Sequence, residues 1–225
     1  MGAVFAFAAA LVALRLGGRL AARWRVRRAP ELLAWAAALF AYAAAAASLA
    51  WGASAGWDTR AFRVYYLFGG LLTTVLLGTG SLLRAAPRLR TSVQSVVLVY
   101  CGVAIGVAMG VPVAHIAPDD MPSARAALEL FPARVLAVVA NSAGTLAVVA
   151  IALWTFRGRP LGNALILAGV ACAALGSSLT PFGEAGTAAA LALAAALLYA
   201  GFVAPQSFQP LRGLLTSVRG TRLTR

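Results

Sequence analysis

Seven stretches of this chain carry no charged side chain, and six of them are long enough to cross a lipid bilayer. They cover residues 1–14, 32–57, 64–83, 91–118, 135–156, 160–183 and 185–211. A helix rises about 1.5 Å per residue, so roughly 20 apolar residues span a hydrocarbon core of roughly 30 Å. The first stretch is short. Arg15 and Arg19 can extend their heads to the interface while their stems stay in lipid, which carries this span toward Leu20. It is the least secure of the seven.

The composition agrees. The chain is 62% hydrophobic and 11% charged, whereas soluble domains run near 25% charged. A soluble fold of 225 residues would leave too much apolar surface in water. In a bilayer the outside of the bundle is apolar as well, and only helices or closed barrels satisfy their own backbone there. The expected fold class is therefore all-α, a seven-transmembrane-helix bundle over residues 1–210, followed by a basic tail over 211–225. The tail carries Leu211, Leu214, Leu215 and Val218 on one helical face among Arg212, Arg219 and Arg222. That spacing suits a helix lying on an anionic membrane surface, and equally a solvated tail.

Orientation follows from arginine. Lysine is absent, and fifteen of the nineteen Arg fall in the segments that lie inside if the N-terminus is outside. The four on the other side are Arg60, Arg63, Arg125 and Arg134. The positive-inside rule then places the N-terminus outside and the C-terminus in the cytoplasm, in the plasma membrane of a bacterium. The Arg cluster follows the first apolar run instead of preceding it, so this segment reads as an uncleaved helix. The net charge of +13 is explained by topology, and no nucleic-acid partner is expected. Anionic lipid at the Arg-rich inner loops, and a membrane or cytoplasmic protein partner, are the expected contacts.

Small residues repeat at four-residue spacing in several spans. The third carries Gly70, Thr74 and Gly78, the fourth Gly102, Gly106 and Gly110, and the sixth begins such a row at Gly169. Helices in lipid associate by close packing of such faces. Packing within the chain is one reading of these rows, and a homodimer face is the other.

Several chemistries are excluded or unsupported. Without lysine there is no Schiff-base retinal, and the single His115 rules out haem held by two protein imidazoles. Neither H-E-x-x-H nor a P-loop is present. Cys101 and Cys172 form no C-x-x-C pair and read as small packing residues. No metal or cofactor set is expected, although His115, Asp119, Asp120 and Glu129 in one outer loop include cation-binding types. Every acid and base lies in a loop or at a helix end, which argues against proton-coupled transport. Gly52-Ala-Ser54-Ala-Gly56 matches G-x-S-x-G, and with His115 it leaves an intramembrane Ser–His hydrolase as a remote alternative.

The neutral polar residues inside the spans are the candidate site. Tyr66, Gly70 and Thr73 share a face of the third helix, and Asn141 and Thr145 share a face of the fifth. Together they line a cavity open to the outside, with Arg63 and Arg134 at its rim, or else they hydrogen-bond helix to helix. Gln94 and Asn163 sit at inner helix ends as caps or interfacial groups.

Four short segments carry a resemblance. Arg63-Val-Tyr-Tyr66-Leu-Phe-Gly69 enters the third helix and Gly78-Thr-Gly80-Ser81 leaves it. Asn141-Ser-Ala-Gly144 and Gly162-Asn163-Ala-Leu-Ile166 lie in the fifth and sixth. With these the chain resembles a group of bacterial integral membrane proteins, frequent in actinobacteria, to which no activity is assigned. Helix count and orientation also resemble the seven-helix sensor regions of bacterial histidine kinases, a likeness of topology alone. The functional expectation is a non-catalytic sensory or ligand-binding module, with a transporter of a small uncharged solute as the alternative.

Overall fold

In a computed structural model the described residues are 2–118, 122–178 and 184–203, and among them there is no strand. Among the described residues seven longer helical rods follow one another: α1 (Gly2–Arg27), α2 (Pro30–Ala55), α3 (Thr59–Ala85), α4 (Arg90–Gly110), α5 (Val135–Trp154), α6 (Pro160–Ser178) and α7 (Glu184–Val203). Five of them are long and apolar enough to cross a membrane, namely α1 to α3, α4 with its lead-in from Pro87, and α5 with its lead-in from Leu130. The apolar segments of the last two are shorter among the described residues, Pro160–Leu175 and Ala192–Gly201. The fold is that of a multi-pass helical membrane protein.

The first span is longer than its charge-free run. Its helix continues through Arg15 and Arg19 to Arg27, 26 residues in all. Arg19 donates to the Tyr199 hydroxyl of α7 at 2.6 Å, so a mid-helix cation finds a partner across the bundle. Arg25 and Arg27 lie in the last turn, where the carbonyl end of the helix dipole favours positive charge. Arg28 takes a left-handed φ of 51°, and Pro30 starts α2 where its missing N–H costs nothing. Two residues therefore suffice to turn α1 back along α2.

Alanine makes that hairpin tight. Ala6, Ala9, Ala10 and Ala13 of α1 are buried, as are Ala36, Ala38 and Ala41 of α2. Many of the larger apolar side chains point outward: Val4 is 69% exposed, and Leu98 and Val99 of α4 are 73% and 69% exposed. A soluble protein does the reverse. Small residues inside bring backbones close, and large ones outside meet acyl chains.

Contacts run from α1 to α2, α3, α5, α6, α7 and back to α1, so six helices close a ring. The fourth rod, α4, leans on the outside of α3. One apolar core, with Leu49, Phe62 and Leu71, fills the Arg-poor end. A second, with Leu20, Trp35, Leu77 and Val148, fills the Arg-rich end. The segment between α4 and α5 folds back over the Arg-poor end. There the Trp57 backbone N–H donates to the Pro118 carbonyl at 2.9 Å, and Ser123 caps the single helical turn Ala124–Ala127. The tail expected over 211–225 lies outside the described residues.

Candidate functional site

The third rod is not a uniform α-helix. Between Tyr66 and Leu72 its hydrogen bonds widen to the π pattern, and the Thr73 N–H reaches the Phe68 carbonyl five residues back. Such a turn leaves carbonyls without their ordinary helical donors, and in lipid no water replaces them. Three side chains do so. The Thr73 hydroxyl donates to the Phe68 carbonyl at 2.7 Å. The Asn141 Nδ2 of α5 donates to the Gly70 carbonyl at 2.8 Å, and the Tyr100 hydroxyl of α4 to the Leu71 carbonyl at 2.7 Å. The π turn is thus fastened to a helix on either side.

The same turn walls a cavity of about 650 Å3 between α2, α3, α5, α6 and α7. Tyr66, Gly70, Thr73, Asn141 and Thr145 all line it, so the structure brings together five of the residues singled out in the sequence. Most of the remaining lining is Ala, Leu and Val, and the cavity reaches the loop at Pro122, Ser123 and Ala124. Tyr42, Tyr65 and Thr74 add polar edges that the sequence did not assign to the cavity, Thr74 having been read only as part of a small-residue row. Their signal was too weak, because one Tyr or Thr in a 20-residue apolar run does not reveal which face it occupies. Asn141 spends an N–H on Gly70 and keeps its carboxamide oxygen as an acceptor. Tyr66 stacks on Phe62 with ring centres 5.8 Å apart and donates to the Ala133 carbonyl at 3.0 Å.

Arg63 is placed differently from the expectation. It is not among the residues lining the cavity, and its guanidinium donates to the carbonyls of Ala108, Met109 and Val111 at the end of α4. The last carbonyls of a helix have no intrahelical donor and carry partial negative charge, so a planar, multiply donating cation is held there. Arg134 also lies outside the lining.

The glycine rows divide into two kinds. Gly78 packs on Gly144, where α3 crosses α5. Gly169 sits against Leu198 and the Ala194 carbonyl, so α6 meets α7 there. A Cβ on Gly70 would meet first the Tyr66 ring of its own helix, at 3.2 Å. Among the described residues nothing lies within 4 Å of a Cβ built on Gly102, Gly106 or Gly110. That row faces away from the described residues on the peripheral α4, so of its two readings the packing within the chain is not seen among them.

Ser54 lies in the last turn of α2, and its hydroxyl donates to the Trp51 carbonyl at 3.1 Å. The strand–turn–helix elbow of a G-x-S-x-G nucleophile is not formed, and His115 makes no hydrogen bond to Ser54. Among the described residues no three His, Cys, Asp or Glu converge on a metal position, and the proposed participants Asp119 and Asp120 lie outside those residues.

A second cavity, of about 540 Å3, opens at the Arg-rich end. Its walls include Trp35, Ser81, Arg84, Thr155, Arg159 and Asn163. Asn163, expected as a cap or interfacial group, is buried and donates to the Thr155 hydroxyl at 2.9 Å. Val148 lines both cavities.

Ring, π turn and cavity define a helical multi-pass membrane protein that holds an apolar chamber with a few polar edges. The chain matches no known family model, no curated protein and no solved structure.

Proposed function

We propose that the chain crosses the plasma membrane of a bacterium seven times, N-terminus outside and C-terminus inside, as a sensory or ligand-binding module. It takes a small apolar or amphipathic molecule from the outer leaflet into the chamber beside the π turn. The occupied state is passed to a separate protein through the Arg-rich inner segments. The chamber carries this reading. At about 650 Å3 it has the size of a site for a small organic ligand. Its lining is apolar apart from Tyr42, Thr74, Asn141, Thr145 and a few other polar groups. Among these, the hydroxyls of Thr74 and Thr145 have no protein partner among the described residues.

A diazirine-bearing octanol tests the reading. Light-driven adducts are expected on peptides bearing Tyr66 and Asn141, and Ala45→Trp, which fills the chamber, removes them. Adducts confined to the lipid-facing Val99 and Leu146 would refute the assignment.

One observation favours transport of a small uncharged solute as the second reading. Val148 is the shared wall of two cavities that open toward opposite ends. If the protein is a transporter, Val148→Gly should raise solute flux into proteoliposomes. In a sensor it should change ligand binding and leave flux at background.

A further inference from the structure

Threonines in these helices can give their hydroxyl to a carbonyl of their own helix. Thr73, Thr79 and Thr155 do so, each at 2.7 Å. Thr74 and Thr145 also lie within helices, yet neither hydroxyl has a partner among the described residues. The carbonyl about one turn before Thr74 is that of Gly70, which already accepts from Asn141. Both threonines line the apolar chamber, and so does Asn141, whose carboxamide oxygen is an acceptor without a donor among those residues. Two contacts bring the three groups together. Asn141 holds the Gly70 carbonyl at 2.8 Å, and about one turn further in a Cβ on Gly144 would lie 2.5 Å from the Thr74 carbonyl oxygen. Thr145 follows Asn141 by one turn and adjoins Gly144, so the two hydroxyls flank the same helix crossing. Leu77 and Val148 line the chamber just beyond them, while its other end reaches Ser123. The threonines therefore mark the deep end, near the middle of α3 and α5.

Two hydroxyl donors and one amide acceptor at mid-bilayer depth select by hydrogen bonding and not by charge. An ionised group carried to that depth needs an opposite charge beside it, and the described lining holds none. A ketone, ester or ether oxygen would accept from the threonines and leave the Asn141 oxygen bare, and an unmade hydrogen bond in a dry site is costly. An alcohol meets both needs: its oxygen accepts from a threonine and its proton goes to the carboxamide. Ala194, Ala195 and Leu198 of α7 give apolar surface for the rest of such a molecule. Resting on the chamber's role as a ligand site, we propose that its ligand is an uncharged aliphatic alcohol. Thr74, Thr145 and Asn141 hold the hydroxyl, and the chain runs toward Ser123.

The test uses the full chain in phosphatidylcholine nanodiscs, with the diazirine-bearing octanol as reporter. Displacement of its adducts is read for 1-octanol, for its isomer 1-methoxyheptane, which accepts but cannot donate, for nonane and for octanoate, each at matched concentration in the lipid. In the wild type, octanol should displace at concentrations about threefold to tenfold lower than the other three, the range of a single neutral hydrogen bond. Thr74→Val and Thr145→Val keep the side-chain shape and should each narrow that preference, whereas Thr145→Ser should retain it. Octanol no better than its isomer, nonane or octanoate in the wild type overturns the assignment, whether or not the variants fold. So does a preference that both valine variants leave intact. If adducts on the Tyr66 and Asn141 peptides persist in those cases, the chamber stands as a ligand site and only the alcohol falls. A wild type without such adducts removes both.

Discussion

Gly78 and Gly144 meet backbone to backbone where α3 crosses α5: a Cβ on Gly78 would lie 2.8 Å from the Gly144 carbonyl oxygen. A Cβ on Gly144 would in turn lie 2.5 Å from the Thr74 carbonyl oxygen. Backbone cannot swing aside as a side chain does, so any substitution here separates the helices. Because the π turn and Asn141 sit one or two turns away, this crossing sets the width of the chamber.

Gly144→Ala should therefore destabilise the protein by about 1–3 kcal/mol, the usual cost of overpacking. Gly102→Ala and Gly106→Ala, which face open space, should leave stability unchanged or raise it slightly. Unfolding in mixed micelles at rising dodecyl sulfate measures all three. Equal losses at Gly102 and Gly144 would mean that α4 is packed from outside.

Removing the donors to the π turn should cost little each but loosen the same element. Asn141→Leu strips the Gly70 carbonyl and Tyr100→Phe the Leu71 carbonyl. Side-chain hydrogen bonds between membrane helices average about 0.6 kcal/mol and reach about 1.7. Each variant should fall in that range, with faster amide exchange between Gly70 and Thr73. Exchange that stays at wild-type rates in both variants would show that the turn holds itself.

Arg63→Gln should free the end of α4. Hydrogen bonds from a charged donor are worth about 1.5–3 kcal/mol, and Arg63 spends its guanidinium on three carbonyls. A loss of that order is expected, and proteolysis should begin near Val111. Ligand adducts in the chamber should be unaffected, because Arg63 is not part of its wall.

Orientation is open to direct labelling. In a background lacking Cys101 and Cys172, Ser54→Cys and Gly158→Cys place exposed thiols at opposite ends of the bundle. An impermeant maleimide added to intact cells should modify Ser54→Cys, and Gly158→Cys only after lysis. The reverse pattern would invert the topology while leaving the fold as it is.

Charge-free runs separated by charged residues were enough to expect an all-helical membrane protein, and five of the described helices are long and apolar enough to cross a membrane, because insertion depends on local hydropathy. Glycine rows and isolated polar residues could be picked out as features of single helices for the same reason. Partners were not. The π turn at Tyr66–Leu72 depends on donors 29 residues away at Tyr100 and 71 residues away at Asn141. Which glycines touch depends on helix neighbours: Gly78 faces another backbone and Gly106 faces outward, although each sits in a similar row. Arg84 and Arg159 read in sequence as two topology charges, and only the closing of α3, α5 and α6 puts them on one wall. Hydropathy decides which segments enter the bilayer, since each is tested against lipid by itself. The chamber, the π turn and the paired cations arise only when helices distant in sequence pack together.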